Sequence, residues 1–169
     1  MRSKSLVFTV QAAAIAAIYV VLTLVFAPIS FGPIQVRVAE ALTVLPFFTP
    51  AAVPGLFVGC LLGNIVGGAV LPDILFGSLA TLIGAVGSYL LRRNKFLVPL
   101  PPILANAAIV PLVLKYAYGV GDAYPFLLLT ITVGEVLSCG VAGEILLNIL
   151  NPHKNAIFRQ ELISGKRER

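Results

Sequence analysis

Six stretches of this chain are too apolar to face water, and proline or basic residues mark nearly every break between them. They cover residues 6–27, 38–48, 54–70, 74–91, 96–118 and 125–150. A helix of about 17–25 mostly apolar residues crosses a hydrocarbon core. The stretch 38–48 falls short, since some 11 residues of α-helix rise only ~17 Å; it either extends into its loops or is partly buried by its neighbours. With 59% hydrophobic and 11% charged residues, no ordinary soluble domain accommodates this chain. The first stretch is too long for a signal-peptide core, and others follow it. The fold expected is an all-α integral membrane protein of about six transmembrane helices, residues 1–151, followed by a charged tail, 152–169.

Charge placement orients the bundle. Arg2 and Lys4 precede the first stretch; Arg92, Arg93 and Lys95 separate the fourth and fifth; Lys154, Arg159, Lys166, Arg167 and Arg169 follow the sixth. With six spans these groups share one side, and the positive-inside rule makes it the cytoplasm, with both termini there. Residues 28–36 then form an outer loop. The same placement turns the net charge of +5 toward lipid headgroups rather than nucleic acid.

Within the third stretch, Gly55, Gly59, Gly63 and Gly67 recur every fourth residue, on nearly one stripe of a helix. Each glycine costs about 0.8–1 kcal/mol of helix propensity. In lipid a smooth stripe repays that by letting another helix come close. Asn64 follows Gly63, and a carboxamide there faces protein, water or ligand. The stripe either packs a helix or lines a cavity. In the first stretch, Ala12 and Ala16, and Ala13 and Ala17, repeat the spacing; they serve internal packing or the docking of another membrane subunit.

Few polar groups reach membrane depth. Asn106 and Glu135 each lie about ten residues into their stretches, roughly 15 Å, and Asn64 is near mid-span. Intramembrane ionisable residues are functional candidates, and Glu135 is the strongest single one. It either contacts ligand or is a protonated or hydrogen-bonded carboxyl between helices. Glu144, nine residues on, falls on the opposite face of an α-helix. Arg37 and Glu40, three apart, form a local ion pair or belong to a lid made by the Pro- and Gly-marked loop 28–36. Asp73, Asp122 and Tyr124 lie at the outer face, and Tyr116, Tyr118 and Tyr124 suit an aromatic belt. Cys60 and Cys139 read as packing residues. There is no phosphate-binding G-x-x-x-x-G-K-[ST], no metal-ligand spacing and no nucleophile–base pair, so no metal or cofactor is expected.

The stretch Q-V-R-V-A-E-A-L-T-V-L-P-F-F-T-P-A-A-V-P-G-L-F-V-G-C-L-L-G-N, residues 35–64, resembles the QueT family, the queuosine-precursor S components of energy-coupling factor (ECF) transporters. The likeness runs from the first stretch to about Asn151. It implies a non-enzymatic substrate-binding subunit in a bacterial cell membrane that captures a 7-deazaguanine on the outer side. Such a subunit works with a transmembrane coupling subunit and two cytoplasmic ATPases. The face carrying Ala12, Ala13, Ala16 and Ala17 is similar to the one that meets the coupling subunit. Glu135, Asn64 and Asn106 suit the donors and acceptors of a deazaguanine edge. Glu40 or Asp73 suits an aminomethyl cation, and Arg37 is a further substrate-binding candidate; Phe31, Phe47 and Phe126 offer stacking surfaces. Three rivals stand beside this reading: an S component for another vitamin-like ligand, an intramembrane enzyme, which would need paired acids that Glu135 alone does not provide, and a structural or assembly protein.

Overall fold

The computed structural model describes residues 2–30 and 36–158. Its main helices are α1 (Arg2–Val25), α2 (Ala27–Ser30), a 3-10 helix (Val38–Phe47), α3 (Ala52–Val66), α4 (Leu71–Leu90), α5 (Leu100–Tyr116), α6 (Tyr124–Glu135), a π-helical segment (Val136–Ala142), α7 (Gly143–Leu150) and α8 (Lys154–Phe158), with single 3-10 turns at Lys95–Leu97 and Asn151–His153. Four continuous helical runs are long and apolar enough to cross a membrane; the 3-10 helix and α3 are shorter apolar helices. Those six runs are the six expected. Large apolar side chains cover the perimeter, among them Leu6, Val21, Ile65, Leu90, Leu104, Leu129 and Ile149, all at least half exposed. That is the outer surface of a helix bundle solvated by lipid.

Glycine meshing holds the first half together. A Cβ built on Gly55 would lie 2.7 Å from the Ala12 carbonyl oxygen, and one on Gly59 would lie 2.8 Å from Tyr19 Cβ and 3.0 Å from Ala16 Cα. Backbone approach this close needs glycine. The ladder is therefore a packing stripe for α1, and Gly67 ends it as the residue after α3. Prolines at the start of α5 sit on glycines of α4: a Cβ on Gly84 would lie 2.6 Å from Pro102 Cα. Pro111 stays inside α5, which continues to Tyr116.

The 3-10 helix is the element that hydropathy reads least well. Its residues from Ala39 to Pro46 are all buried. It is enclosed by α1, α3, α4, α7 and the π segment. Ten residues wound as a 3-10 helix reach roughly 20 Å, because each rises about 2.0 Å. The tighter winding carries a short stretch far into the bundle. It starts beside Asp73, through Arg37, and ends where Phe48 stacks on Phe158 with ring centroids 5.0 Å apart. At that end Gln11 Nε2 donates to the Phe158 carbonyl at 2.7 Å, and Lys95 Nζ donates to Asn148 Oδ1 at 3.3 Å. The start of the expected tail thus folds back on the bundle as α8; residues 159–169 lie outside the described part.

Candidate functional site

Burying polar groups in an apolar bundle is costly unless they satisfy one another. Here they gather around Glu40. Its side chain is fully buried. The Tyr19 hydroxyl of α1 donates to Glu40 Oε1, and Thr81 Oγ1 of α4 donates to the same oxygen at 3.0 Å. Asn106 Nδ2 of α5 approaches Oε2 at 3.5 Å. Cys139 of the π segment donates its thiol to Glu135 Oε2 at 3.2 Å and approaches the Glu40 carbonyl at 3.4 Å. One ligand-type atom each from Glu40, Glu135 and Cys139 lies within 4.8 Å of the others. The sequence shows no such metal-ligand spacing, since 99 residues separate Glu40 from Cys139. The triad offers two hard oxygens and one soft sulfur, a mixed set that selects no common ion strongly.

A second polar group lies toward the start of the 3-10 helix. Arg37 Nη2 meets the Asp73 carboxylate at 3.3 and 3.4 Å, with both side chains buried. The Tyr118 hydroxyl, from the turn after α5, donates to Asp73 Oδ2 at 2.9 Å. Asn64 Nδ2 approaches the Asp73 carbonyl at 3.4 Å. Partial burial, with the Asp73 carboxylate alongside, holds the Tyr118 phenol above its ordinary pKa, so it remains a donor. Gly77 makes room for this group: a Cβ there would lie 2.8 Å from Asp73 Oδ1 and 3.4 Å from Asn64 Nδ2. Its carbonyl oxygen also lies 3.2 Å from Thr81 Oγ1, which places the two polar groups one turn of α4 apart.

The structure brings together Glu40, Glu135 and Asn106 directly, and Arg37 and Asn64 through Asp73. Several expectations change. Glu40 is not at an outer rim beside Arg37: it turns to the centre of the bundle, and Arg37 pairs with Asp73. Arg37 precedes the 3-10 helix with extended backbone, φ −86° and ψ 91°, so the two side chains do not share a helix face. Glu135 is not a lone acid, because Glu40 stands beside it. The rule placing Glu144 opposite Glu135 assumes an unbroken α-helix, and the π segment lies between them. Each π residue winds through a smaller angle, so half a turn no longer separates the two. Glu144 is half-buried and its Oε1 has no hydrogen-bond partner among the described residues.

The alanine face divides. Ala16 is buried and Ala12 half-buried, both against the glycines of α3, whereas Ala13 and Ala17 are exposed. Phe47 packs edge-on against Phe48, near the α8 end and away from the acids. Phe126 is 45% exposed on the perimeter. Phe31 and most of the expected lid, residues 31–35, lie outside the described residues. Tyr19, Thr81, Cys139, Asp73 and Tyr118 were not singled out as a cluster by sequence. Their only trace is polarity on the small-residue faces of α1 and α4, Tyr19 seven residues after Ala12 and Thr81 between Gly77 and Gly84.

Three carboxyls, two carboxamides and three hydroxyls make a buried polar cluster rich in acceptors, suited to a ligand with several N–H groups. The sequence profile described as "QueT transporter" matches residues 9–152. The queuosine precursor transporter QueT of Lactococcus lactis subsp. cremoris (strain MG1363) is 37% identical over 76 residues, 44% of this chain and 44% of that protein. The aligned stretch thus spans under half of that relative's length. No solved structure matches the chain.

Proposed function

The chain belongs to the QueT transporter family, and we propose that it is the substrate-binding subunit of an ECF-type transporter that captures a queuosine precursor, a 7-deazaguanine, from outside a bacterial cell. Membership makes it a multi-pass membrane protein with a role in transport. The observation that carries the finer reading is the buried group Glu40, Glu135 and Asn106 at the centre of the bundle.

The guanine-like edge of a 7-deazaguanine presents adjacent N–H donors beside a carbonyl. A carboxylate accepts two such donors, and a carboxamide both donates and accepts. Binding would exchange the hydrogen bonds within the cluster for bonds to ligand, so no buried carboxyl is left unmatched. Ligand enters from the end marked by Arg37, Asp73 and Tyr118. The opposite end carries Arg92, Arg93 and Lys95 and faces the cytoplasm under the positive-inside rule. The protein performs no chemistry on its ligand. The exposed alanines Ala13 and Ala17 meet the transmembrane coupling subunit, which in turn engages two cytoplasmic ATPases.

Purification in mild detergent, followed by mass spectrometry of any co-purifying small molecule, tests the ligand. A 7-deazaguanine is expected. A different vitamin-like compound would retain the transport role and overturn this substrate.

A further inference from the structure

We infer that Glu40 and Glu135 share one proton while the site is empty, and that a cationic ligand expels this proton when it binds. The inference deepens the reading above and rests on it for the ligand.

Charge counting leads here. The polar centre holds three carboxyls, Glu40, Glu135 and Asp73, all buried, and one guanidinium, Arg37, which lies 3.3 Å from Asp73. One positive charge cannot neutralise three negative ones in an apolar bundle. Among the described residues, the other titratable groups facing the acids are Tyr19 from α1, Cys60 from α3, Tyr118 from the turn after α5 and Cys139 from the π segment. None of these becomes cationic. An ionised Tyr19 or cysteine would only enlarge the deficit, and Tyr19 and Cys139 act as donors to the two carboxyls. Glu40 and Glu135 bring carboxyl oxygens within 4.8 Å of each other, and like charges that close in a low-dielectric site repel strongly enough to keep a proton between them.

A ligand carrying one positive charge takes the proton's place, so the net charge of the site, about −1 with the shared proton, is unchanged on binding. The cation binds beside two carboxylates, and the proton leaves to solvent. No bond other than O–H is broken. The sign is fixed by that competition: raising pH removes the proton that opposes the cation, so affinity rises, by up to tenfold per pH unit where one proton is released. A neutral ligand of the same shape leaves the proton in place and gains nothing from pH. The site thereby favours a cationic 7-substituent over a neutral one, increasingly so as pH rises.

Titration calorimetry of the full chain in detergent, in phosphate and in Tris buffer, counts released protons, because the two buffers differ in ionisation heat. The probes are 7-aminomethyl-7-deazaguanine, a cation, and 7-cyano-7-deazaguanine, which is neutral. Between about pH 5.5 and 7.5, where the amine stays charged, one proton per molecule is expected for the first and none for the second. Equal release for both probes, or none for the amine, overturns the inference. A second readout needs no ligand: the infrared carbonyl stretch of a protonated carboxyl in the empty protein, lost in Glu135→Gln or Glu40→Gln. Absence of that band from the wild type also overturns it. Presence of the band with no binding of either probe keeps the shared proton and sinks the 7-deazaguanine reading instead. The wild-type readouts suffice should either variant fail to fold.

Discussion

Gly59 and Tyr19 are in backbone-to-side-chain contact so tight that a single methyl group on Gly59 would sit 2.8 Å from Tyr19 Cβ. The Tyr19 hydroxyl in turn donates to Glu40. Packing between α1 and α3 thus sets the position of a donor to the central carboxyl.

Gly59→Ala is expected to destabilise the protein by about 1–3 kcal/mol, the range for overpacking, despite alanine's better helix propensity. Gly63→Ala is expected to cost less. The atoms nearest its methyl would be those of the Thr23 side chain, at 3.2–3.3 Å, a looser approach than at Gly59. Thermal unfolding in detergent compares the two; equal losses would show that the α1–α3 contact is not what limits the position.

Asp73 joins Arg37 to Tyr118. Asp73→Asn withdraws the carboxylate from a buried guanidinium and is expected to cost about 3–5 kcal/mol, as for breaking a buried pair. Tyr118→Phe removes two bonds, the donation to Asp73 and the long acceptance from the Val70 N–H at 3.4 Å, from a residue that is 39% exposed, and about 0.5–1 kcal/mol is expected. Unfolding midpoints of both variants check the ranking, and a larger loss from Tyr118→Phe would refute it.

Glu135→Gln keeps shape and one acceptor oxygen but removes the charge. Loss of a charge-assisted hydrogen bond should weaken binding of a 7-deazaguanine by about 1.5–3 kcal/mol, roughly ten- to a hundred-fold. Glu40→Gln should do the same. Glu144 lies beyond the π segment, nine residues after Glu135, and Glu144→Gln should leave binding nearly unchanged. Calorimetry on the three variants decides; loss only in Glu144→Gln would put the site in the wrong half of the bundle.

The two alanine pairs should respond differently. Ala16 is 7% exposed against Gly59, so Ala16→Leu is expected to destabilise the isolated protein. Ala13→Leu, on the exposed side, should leave stability and ligand binding intact while impairing uptake with the coupling subunit present. Equal unfolding losses in both variants would assign the whole face to internal packing.

Topology is testable by cysteine labelling, because Cys60 and Cys139 are fully buried. Ser30 suits this poorly, being 1% exposed with its hydroxyl bonded to the Phe26 carbonyl. Gly121, in the exposed turn between α5 and α6, has nothing within 4 Å of a built Cβ. Gly121→Cys should react with an impermeant reagent from outside, and Asn94→Cys only after the membrane is opened. The reverse pattern would invert the bundle.

Much of the architecture was legible because membrane folding is written in length and composition. Apolar runs, the prolines that break them and the glycine stripe of α3 all correspond to elements and contacts. The meeting of Glu40 with Glu135 was not legible. It depends on 3-10 winding between residues 38 and 47, and hydropathy does not distinguish 3-10 from α winding. The spacing of Arg37 and Glu40 suggested a local pair, whereas the extended backbone at Arg37 sends the two side chains apart. The π segment likewise escapes a periodicity argument, because 3.6-residue phasing presumes the regularity it breaks. Asp73 looked like one more acid at a helix start; its role follows from Arg37 and Tyr118, 36 and 45 residues away.

The order of synthesis sets a further condition on the buried Glu40. Among the described side chains that hydrogen-bond its carboxyl, only Tyr19 precedes it in the chain. Thr81 is 41 residues later and Asn106 is 66 later. At 5–20 residues per second, Asn106 is made roughly 3–13 s after Glu40. The short 3-10 helix must wait through that interval with an incompletely matched acid, held by α1 or retained by the insertion machinery. Its final seat forms only when the last helices arrive, so the earliest polar element of the core is among the last to be enclosed.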